Sequence, residues 1–148
     1  MNKFIKESLK QARKAASHDD VPIGAVIVRD GKIIARGENR VQLKRNPTLH
    51  AEIVAINKAC KKLNAKFLDN CEIYVSLEPC AMCAVAISYA RIKRVIFAAK
   101  DEKGGGILYG ARVYKTQKNL WKPFVLQIPE FASESAKLLK DFFKEKRK

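Results

Sequence analysis

Acidic residues are scarce in this chain. Asp and Glu number 15 against 30 Lys and Arg in 148 residues, which leaves a formal charge of +15. A surface so short of negative charge favours polyanionic partners, nucleic acid first. Lysines outnumber arginines 21 to 9, a balance that describes a solvated lysine-rich surface equally well. Long apolar runs are missing too. No stretch reaches the ~18 residues of a membrane-crossing helix. The opening Met1-Asn2-Lys3-Phe4-Ile5-Lys6 turns charged at once and lacks a secretory apolar core. The expectation is a cytoplasmic protein with no membrane segment. Cysteine is limited to Cys60, Cys71, Cys80 and Cys83. In an intracellular chain, closely spaced cysteines indicate metal or catalysis before disulfides. Repeats, linkers and low-complexity tracts are absent, so residues 1–148 read as one domain. The 47% hydrophobic content excludes disorder across the whole chain.

What is present alternates between helix and strand. Phe4, Ile5, Leu9 and Ala12 share one face of a helix over 2–16. Residues 24–29 and 32–36 form strands around the Asp30-Gly31 turn. A polar loop over 37–47 follows, and Thr48 is placed to cap a helix over 49–63. The buried stripe of that helix is predicted at Ile53, Ile56, Cys60 and Leu63. Strands are predicted at 72–76, 94–98 and 124–128. Between the first two lies a helix over 79–90, apolar nearly all round, with Pro79 in its first turn. A last helix over 132–146 aligns Ala136, Leu139 and Phe143, and residues 144–148 read as a frayed basic end. Residues 107–122 stay unassigned. This order implies a largely parallel sheet covered on both faces, with the opening hairpin as its antiparallel pair. His18, in a polar turn, reads as an ordinary surface residue.

Two segments carry chemistry: His50-Ala51-Glu52 and Pro79-Cys80-Ala81-Met82-Cys83. Thiolate and imidazole suit zinc, and the two-residue gap between Cys80 and Cys83 is a recurring ligand spacing. Both segments precede a predicted helix, whose dipole favours thiolate. Three protein ligands leave a fourth position for water, which is the pattern of a catalytic zinc. Cys60 lies about ten residues along its helix from His50 and Cys71 opens a strand well removed from Cys80, so neither is placed to complete a structural site and both read as small buried hydrophobes. Glu52 decides between the two kinds of site. An uncoordinated carboxylate two residues after a ligand serves no structural zinc, but a hydrolytic one needs it to move protons.

The H-x-E and P-C-x-x-C segments together are the signature of the zinc-dependent nucleoside and nucleobase deaminases. Within them the chain resembles the bacterial tRNA-specific adenosine deaminases. The likeness runs through Val21-Pro22-Ile23-Gly24-Ala25-Val26, Asn39-Arg40, Leu77-Glu78-Pro79-Cys80-Ala81-Met82-Cys83-Ala84, Arg91 to Phe97, and Leu138 to Phe143. The resemblance implies a cytidine deaminase-like fold, a three-layer α/β/α sandwich around a five-stranded mixed sheet. It implies one Zn2+ per chain on His50, Cys80 and Cys83, with Glu52 as the catalytic acid and base. It implies that Asn39 and the backbone N–H of Ala51 orient the base. It also implies RNA contacts by Asp101, Phe142, Phe143, Lys144 and Arg147, a tRNA anticodon stem-loop as substrate, and a homodimer.

The sequence departs from that family at Asn46, at Leu49 and over Gly104-Gly105-Gly106-Ile107-Leu108-Tyr109, and the stretch 107–125 matches poorly. A second reading therefore stays open, a deaminase of free nucleobases or nucleosides such as cytosine or guanine. A zinc-stabilised RNA-binding module without catalysis is a third, which leaves Glu52 without a task.

Overall fold

The computed structural model describes residues 1–147. Its elements are helix α1 (Asn2–Ser17), strands β1 (Gly24–Arg29) and β2 (Lys32–Glu38), a short helix α2 (Val41–Lys44), α3 (Ala51–Leu63), β3 (Cys71–Leu77), α4 (Ala81–Tyr89), β4 (Arg94–Ala99), a short α5 (Val113–Thr116), β5 (Phe124–Gln127) and α6 (Ala132–Lys146). A 3-10 turn over Pro129–Phe131 leads into α6. The five strands form one sheet in the order β2-β1-β3-β4-β5. β1 is antiparallel to both β2 and β3, and the pairs β3–β4 and β4–β5 are parallel. The hairpin is thus not the only antiparallel pair, because β1 lies between β2 and β3 and opposes both.

Strand periodicity explains why helices cover both faces. Alternate side chains of a strand point to opposite sides. Ala25, Ile27, Ile73, Val75, Val95 and Phe97 face one core, which also holds Ala51, Ala55, Ala59, Ala84 and Ile87 of α3 and α4. Val26, Val28, Tyr74, Ile96 and Ala98 face the other, with Phe4, Ile5 and Leu9 of α1 and the partly buried Leu138 of α6. The expected three-layer α/β/α sandwich with a five-stranded mixed sheet is what the chain adopts. No described helix is long and apolar enough to cross a membrane.

Several local expectations need correction. α3 starts at Ala51 with His50 as its N-cap. Thr48 does not cap it; its hydroxyl and its N–H both donate to Asn46 Oδ1. The α3 residues that are fully buried are Ala51, Glu52, Val54, Ala55 and Ala59, whereas Ile56, Cys60 and Leu63 are half-buried and pack at its edge. The reason is the close approach of α3 to β2. A Cβ on Gly37 would run into the backbone of Ala51 and Ala55, so the contact face must be alanine. α4 begins at Ala81 with Cys80 as N-cap, so Pro79 precedes the helix. In α6 the buried residue is Ser135, whose hydroxyl donates to Ser76 O at 2.5 Å. Ala136 and Phe143 are exposed, because that bond turns the helix by about one residue. The unassigned stretch buries Ile107, Val113 and Tyr114. It anchors on α4 through the Tyr114 hydroxyl, which donates to Ala84 O at 2.6 Å. Of the frayed basic end, Lys144 to Lys146 remain helical and Lys148 lies outside the described residues.

Candidate active site and metal centre

β2 and β3 deliver the site from one end of the sheet. β2 runs into Glu38 and Asn39, and β3 runs into Glu78 and Pro79. α3 and α4 then begin side by side, with His50 and Cys80 as their respective N-caps. Cys83 sits in the first turn of α4, fully buried. His50 Nδ1 is 3.6 Å from Cys80 Sγ and 3.6 Å from Cys83 Sγ. All three donor atoms lie within 4.8 Å of one another.

This donor set fits a tetrahedral zinc. Bonds of about 2.3 Å to sulfur and 2.0–2.1 Å to nitrogen at tetrahedral angles set the N···S separation near 3.6 Å, the distance found for both cysteines. The electrostatics agree with a ligand set. The Cys80 thiol is pushed down to about 4, first by its hydrogen bond with Cys83 and then by His50, with burial opposing. Cys83 moves the other way, raised by the bond with Cys80 and by burial. His50 is raised by its bond to Cys80, against its own burial. Among the described residues, no other group of three His, Cys, Asp or Glu side chains is close enough to hold an ion.

Glu52 lies in the first turn of α3 and is 3% exposed. Burial pushes its carboxyl up to about 7, with Cys80 adding to the shift and contacts to His50 and Cys83 opposing it. A carboxyl in this state can both accept and give a proton near neutral pH. Asn39, also buried, accepts the Ala51 N–H on Oδ1 at 2.7 Å. That leaves its NH2 as the group it can offer a ligand.

A cavity of about 690 Å³ opens beside His50 and Asn39, while Glu52, Cys80 and Cys83 do not line it. His50, Asn39, Ile23 and Val41 line it on one side, and Phe142, Phe143 and Lys146 of α6 on the other. Phe142 and Phe143 both reach it, with ring centroids 5.4 Å apart in an edge-to-face pair. Lys144 and Arg147 are exposed on the outer side of α6 and do not line the cavity; Lys146 does. Asp101 is half-buried beyond β4 and accepts the Gly104 N–H at 2.9 Å.

Residues without an assigned role at the sequence level frame the site. His18 is not a free surface residue. Its Nδ1 is 3.0 Å from Asp20 and its Nε2 is 3.2 Å from Glu38. Asp20 also accepts the N–H groups of Gln42 and Leu43, which fixes α2 at the cavity wall. The available signal was a charged cluster, His18-Asp19-Asp20, at the end of an amphipathic helix, followed by Glu38 at the end of a strand. Such side chains seldom bury unless paired.

Known proteins place this arrangement. A sequence model of the MafB19-like deaminase family matches residues 1–147. The tRNA-specific adenosine deaminase of Agrobacterium fabrum is 46% identical over 145 residues, covering 97% of this chain and 94% of that one. Among solved structures, a chain from work on A-to-I editing by tRNA:A34 deaminases at the wobble position of transfer RNA superposes with a TM-score of 0.90. It is 43% identical and covers 94% of this chain and 100% of its own. The guanine deaminase of Bacillus subtilis superposes with a TM-score of 0.66 at 41% identity, covering 78% of this chain and 69% of that one.

Proposed function

Because the chain belongs to the MafB19-like deaminase family, we propose that it is a hydrolytic deaminase converting adenosine to inosine at the wobble position of a tRNA anticodon. The observation that carries the substrate is the cavity. At about 690 Å³ it falls within the ~300–1,000 Å³ of sites that enclose drug-sized ligands, and a lone base would leave much of it empty. Its walls offer two aromatic rings and a lysine, the groups that stack on unpaired bases and meet phosphate. The likeness to tRNA-specific adenosine deaminases extends over nearly the full length of both chains, whereas the guanine deaminase matches over a shorter stretch.

His50, Cys80 and Cys83 would hold one zinc ion. When bound, zinc supplies a Lewis-acid centre that brings the pKa of water to about 7. Glu52 takes a proton from the attacking water and delivers it to the ring nitrogen beside the carbon that loses its amine. It then returns a proton to the departing ammonia. Adenosine and water become inosine and ammonia. Asn39 donates its NH2 to an acceptor on the base, with Ala51 N–H fixing the orientation of that amide. Asp101, Phe142 and Phe143 hold the flanking RNA, and Lys144 and Arg147 meet its backbone farther out.

The reading includes a single catalytic domain in the cytoplasm and a second copy of the chain. Tyr89 is 71% exposed at the end of α4, beside the exposed Trp121, and Met82 is exposed in the first turn of the same helix. Those side chains give a homodimer its apolar surface.

The test is to mix zinc-loaded protein with an unmodified tRNA carrying adenosine at the wobble position and to quantify inosine by mass spectrometry. Inosine from the wild type and none from Glu52→Ala is the expected result. A fully metallated protein that leaves the tRNA unchanged and deaminates a free base would overturn it.

A further inference from the structure

Glu78 follows β3 and precedes Pro79 and Cys80. It is 2% exposed, and no step proposed above uses it. Its carboxylate accepts four backbone N–H groups from one loop. Oε1 takes Asp101 N–H at 3.0 Å. Oε2 takes those of Ile107, Leu108 and Tyr109 at 3.1, 2.9 and 3.0 Å. The loop is wrapped so closely that a Cβ on Gly105 would stand 2.6 Å from the Glu78 carboxylate. The next residue, Gly106, donates its N–H to Pro79 O at 2.8 Å. A Cβ there would lie 2.5 Å from Ala81 N. The loop over 101–109 is therefore fastened to the segment that carries Cys80.

This loop takes no part in lining the 690 Å³ cavity. It borders the triad through Cys80 and Ala81 instead. To the outside it presents Leu108, 39% exposed, and Tyr109, with Lys100 Nζ 5.5 Å from its ring. Aromatic and apolar surface beside a cation is what an unpaired RNA strand meets on either side of a flipped base. The loop includes Gly104 to Tyr109, one of the places where the sequence departs from the family it resembles.

We propose that Glu78 is a positioning residue for substrate: by gathering the four N–H groups of the 101–109 loop it sets a second RNA-contacting wall on the Cys80 side of the site. This rests on the RNA reading above. A carboxylate suits the task because both its oxygens only accept. In Glu78→Gln one end becomes an NH2, which must face either Asp101 N–H or the three N–H groups of 107–109. The loop is then released at that end, while β3, α4 and the metal ligands keep their own bonds.

The test pairs hydrogen exchange with kinetics on zinc-loaded Glu78→Gln, using an RNA stem-loop with a wobble adenosine. The amides at one end of the loop, either residue 101 or residues 107–109, should exchange at least about tenfold faster, with those of β3 and β4 unchanged. Zinc content should hold at one per chain. KM for the stem-loop should rise about tenfold, with kcat within about threefold. Gly105→Ala, whose Cβ would press on Asp101 O at 2.5 Å as well as on the Glu78 carboxylate at 2.6 Å, loosens the loop with Glu78 intact and should likewise raise KM even if Glu78→Gln folds poorly. Faster amides with an unchanged KM would reduce Glu78 to a structural part, and a fall in kcat at constant KM would contradict a positioning role for binding. Failure of the tRNA reading looks different, because then the wild type itself makes no inosine from the RNA.

Discussion

Asn39 Oδ1 holds the backbone N–H of Ala51 at 2.7 Å. Ala51 is the first residue of α3, and its N–H is one of the donors a helix cannot satisfy internally. The bond ties the end of β2 to the helix that carries His50 and Glu52, and it aims the Asn39 NH2 at the cavity. Asn39→Ala leaves a buried N–H without an acceptor and should destabilise the fold by about 1–3 kcal/mol. Asn39→Asp keeps the acceptor and removes the donor. Denaturant unfolding should therefore place Asp close to wild type and Ala well below it, while both lose deamination. If Asp restores turnover as well as stability, the NH2 has no part in binding the base.

Glu52 is buried, with Cys83 as its side-chain hydrogen-bond partner. Glu52→Gln changes its ability to move protons and little of its volume. Turnover should fall by about 10²–10⁴-fold with zinc content intact. The comparison is made at equal metal loading, so that a lost ion is not mistaken for lost acid–base catalysis. A rate equal to wild type would remove Glu52 from the mechanism.

The two cysteines should respond alike in metal content. Cys83→Ala removes a buried ligand from the first turn of α4, and Cys80→Ala removes the N-cap ligand. Each should bind zinc far more weakly and unfold at lower temperature than the zinc-loaded parent, since a ligand bound only to the native state adds stability. Chelating zinc from the wild type should lower its melting temperature in the same direction. Cys60→Ala is the control, because Cys60 is half-buried far along α3 and should keep full zinc.

Much of this was legible in the sequence, for identifiable reasons. Nearly continuous apolar runs in β1, β3 and β4 put one core on each face of the sheet, because successive side chains point to opposite sides, and that pattern is local. His50, Glu52, Cys80 and Cys83 were readable because a metal site demands particular residue types at set offsets from helix starts. Other features depend on partners distant in the chain. The face α3 buries is dictated by Gly37 in β2, fourteen residues before the start of α3. The rotation of α6 follows from Ser135 meeting Ser76 across 59 residues. The roles of His18, Asp20 and Glu78 follow from buried bonds to loops, and nothing in their local sequence specifies those loops. Lys146 instead of Lys144 or Arg147 reaches the cavity, because helical phase at a chain end is set by packing upstream.

Glu38 gives the fold a defined acid sensitivity. It is 1% exposed. Burial by itself would raise its carboxyl, but hydrogen bonds with His18 and Arg40, and the charges of Arg40 and Lys14, hold it below the ordinary value. A carboxyl lowered in the native state contributes stability above its unfolded pKa of about 4.3, and that contribution is lost as pH falls through the native pKa. Unfolding free energy should therefore decline below about pH 4.3, and Glu38→Gln should flatten the part of the decline that Glu38 supplies. The check is a series of denaturant titrations from neutral to acid pH. Equal slopes in the two proteins would show that other carboxylates govern acid unfolding.

At the cavity mouth, Lys146 Nζ lies 2.6 Å from Asp19 Oδ1, with both side chains largely in solvent. An exposed pair of this kind is worth about 0–1 kcal/mol, so breaking it leaves the fold nearly as stable. Its consequence is for charge: Asp19 occupies a cation that also lines the cavity and lies 5.6 Å from the Phe142 ring. If RNA phosphate takes Lys146, it must do so in competition with Asp19. Lys146→Ala should then weaken stem-loop binding and reduce the slope of log K against log[salt] by about 0.7–0.9. Asp19→Ala should strengthen binding at low salt, where the freed lysine is least screened. The double variant should bind like Lys146→Ala, since Asp19 acts here only through that lysine. Equilibrium binding over a salt series measures all three. Slopes that stay parallel across the four proteins would place the RNA backbone away from the end of α6.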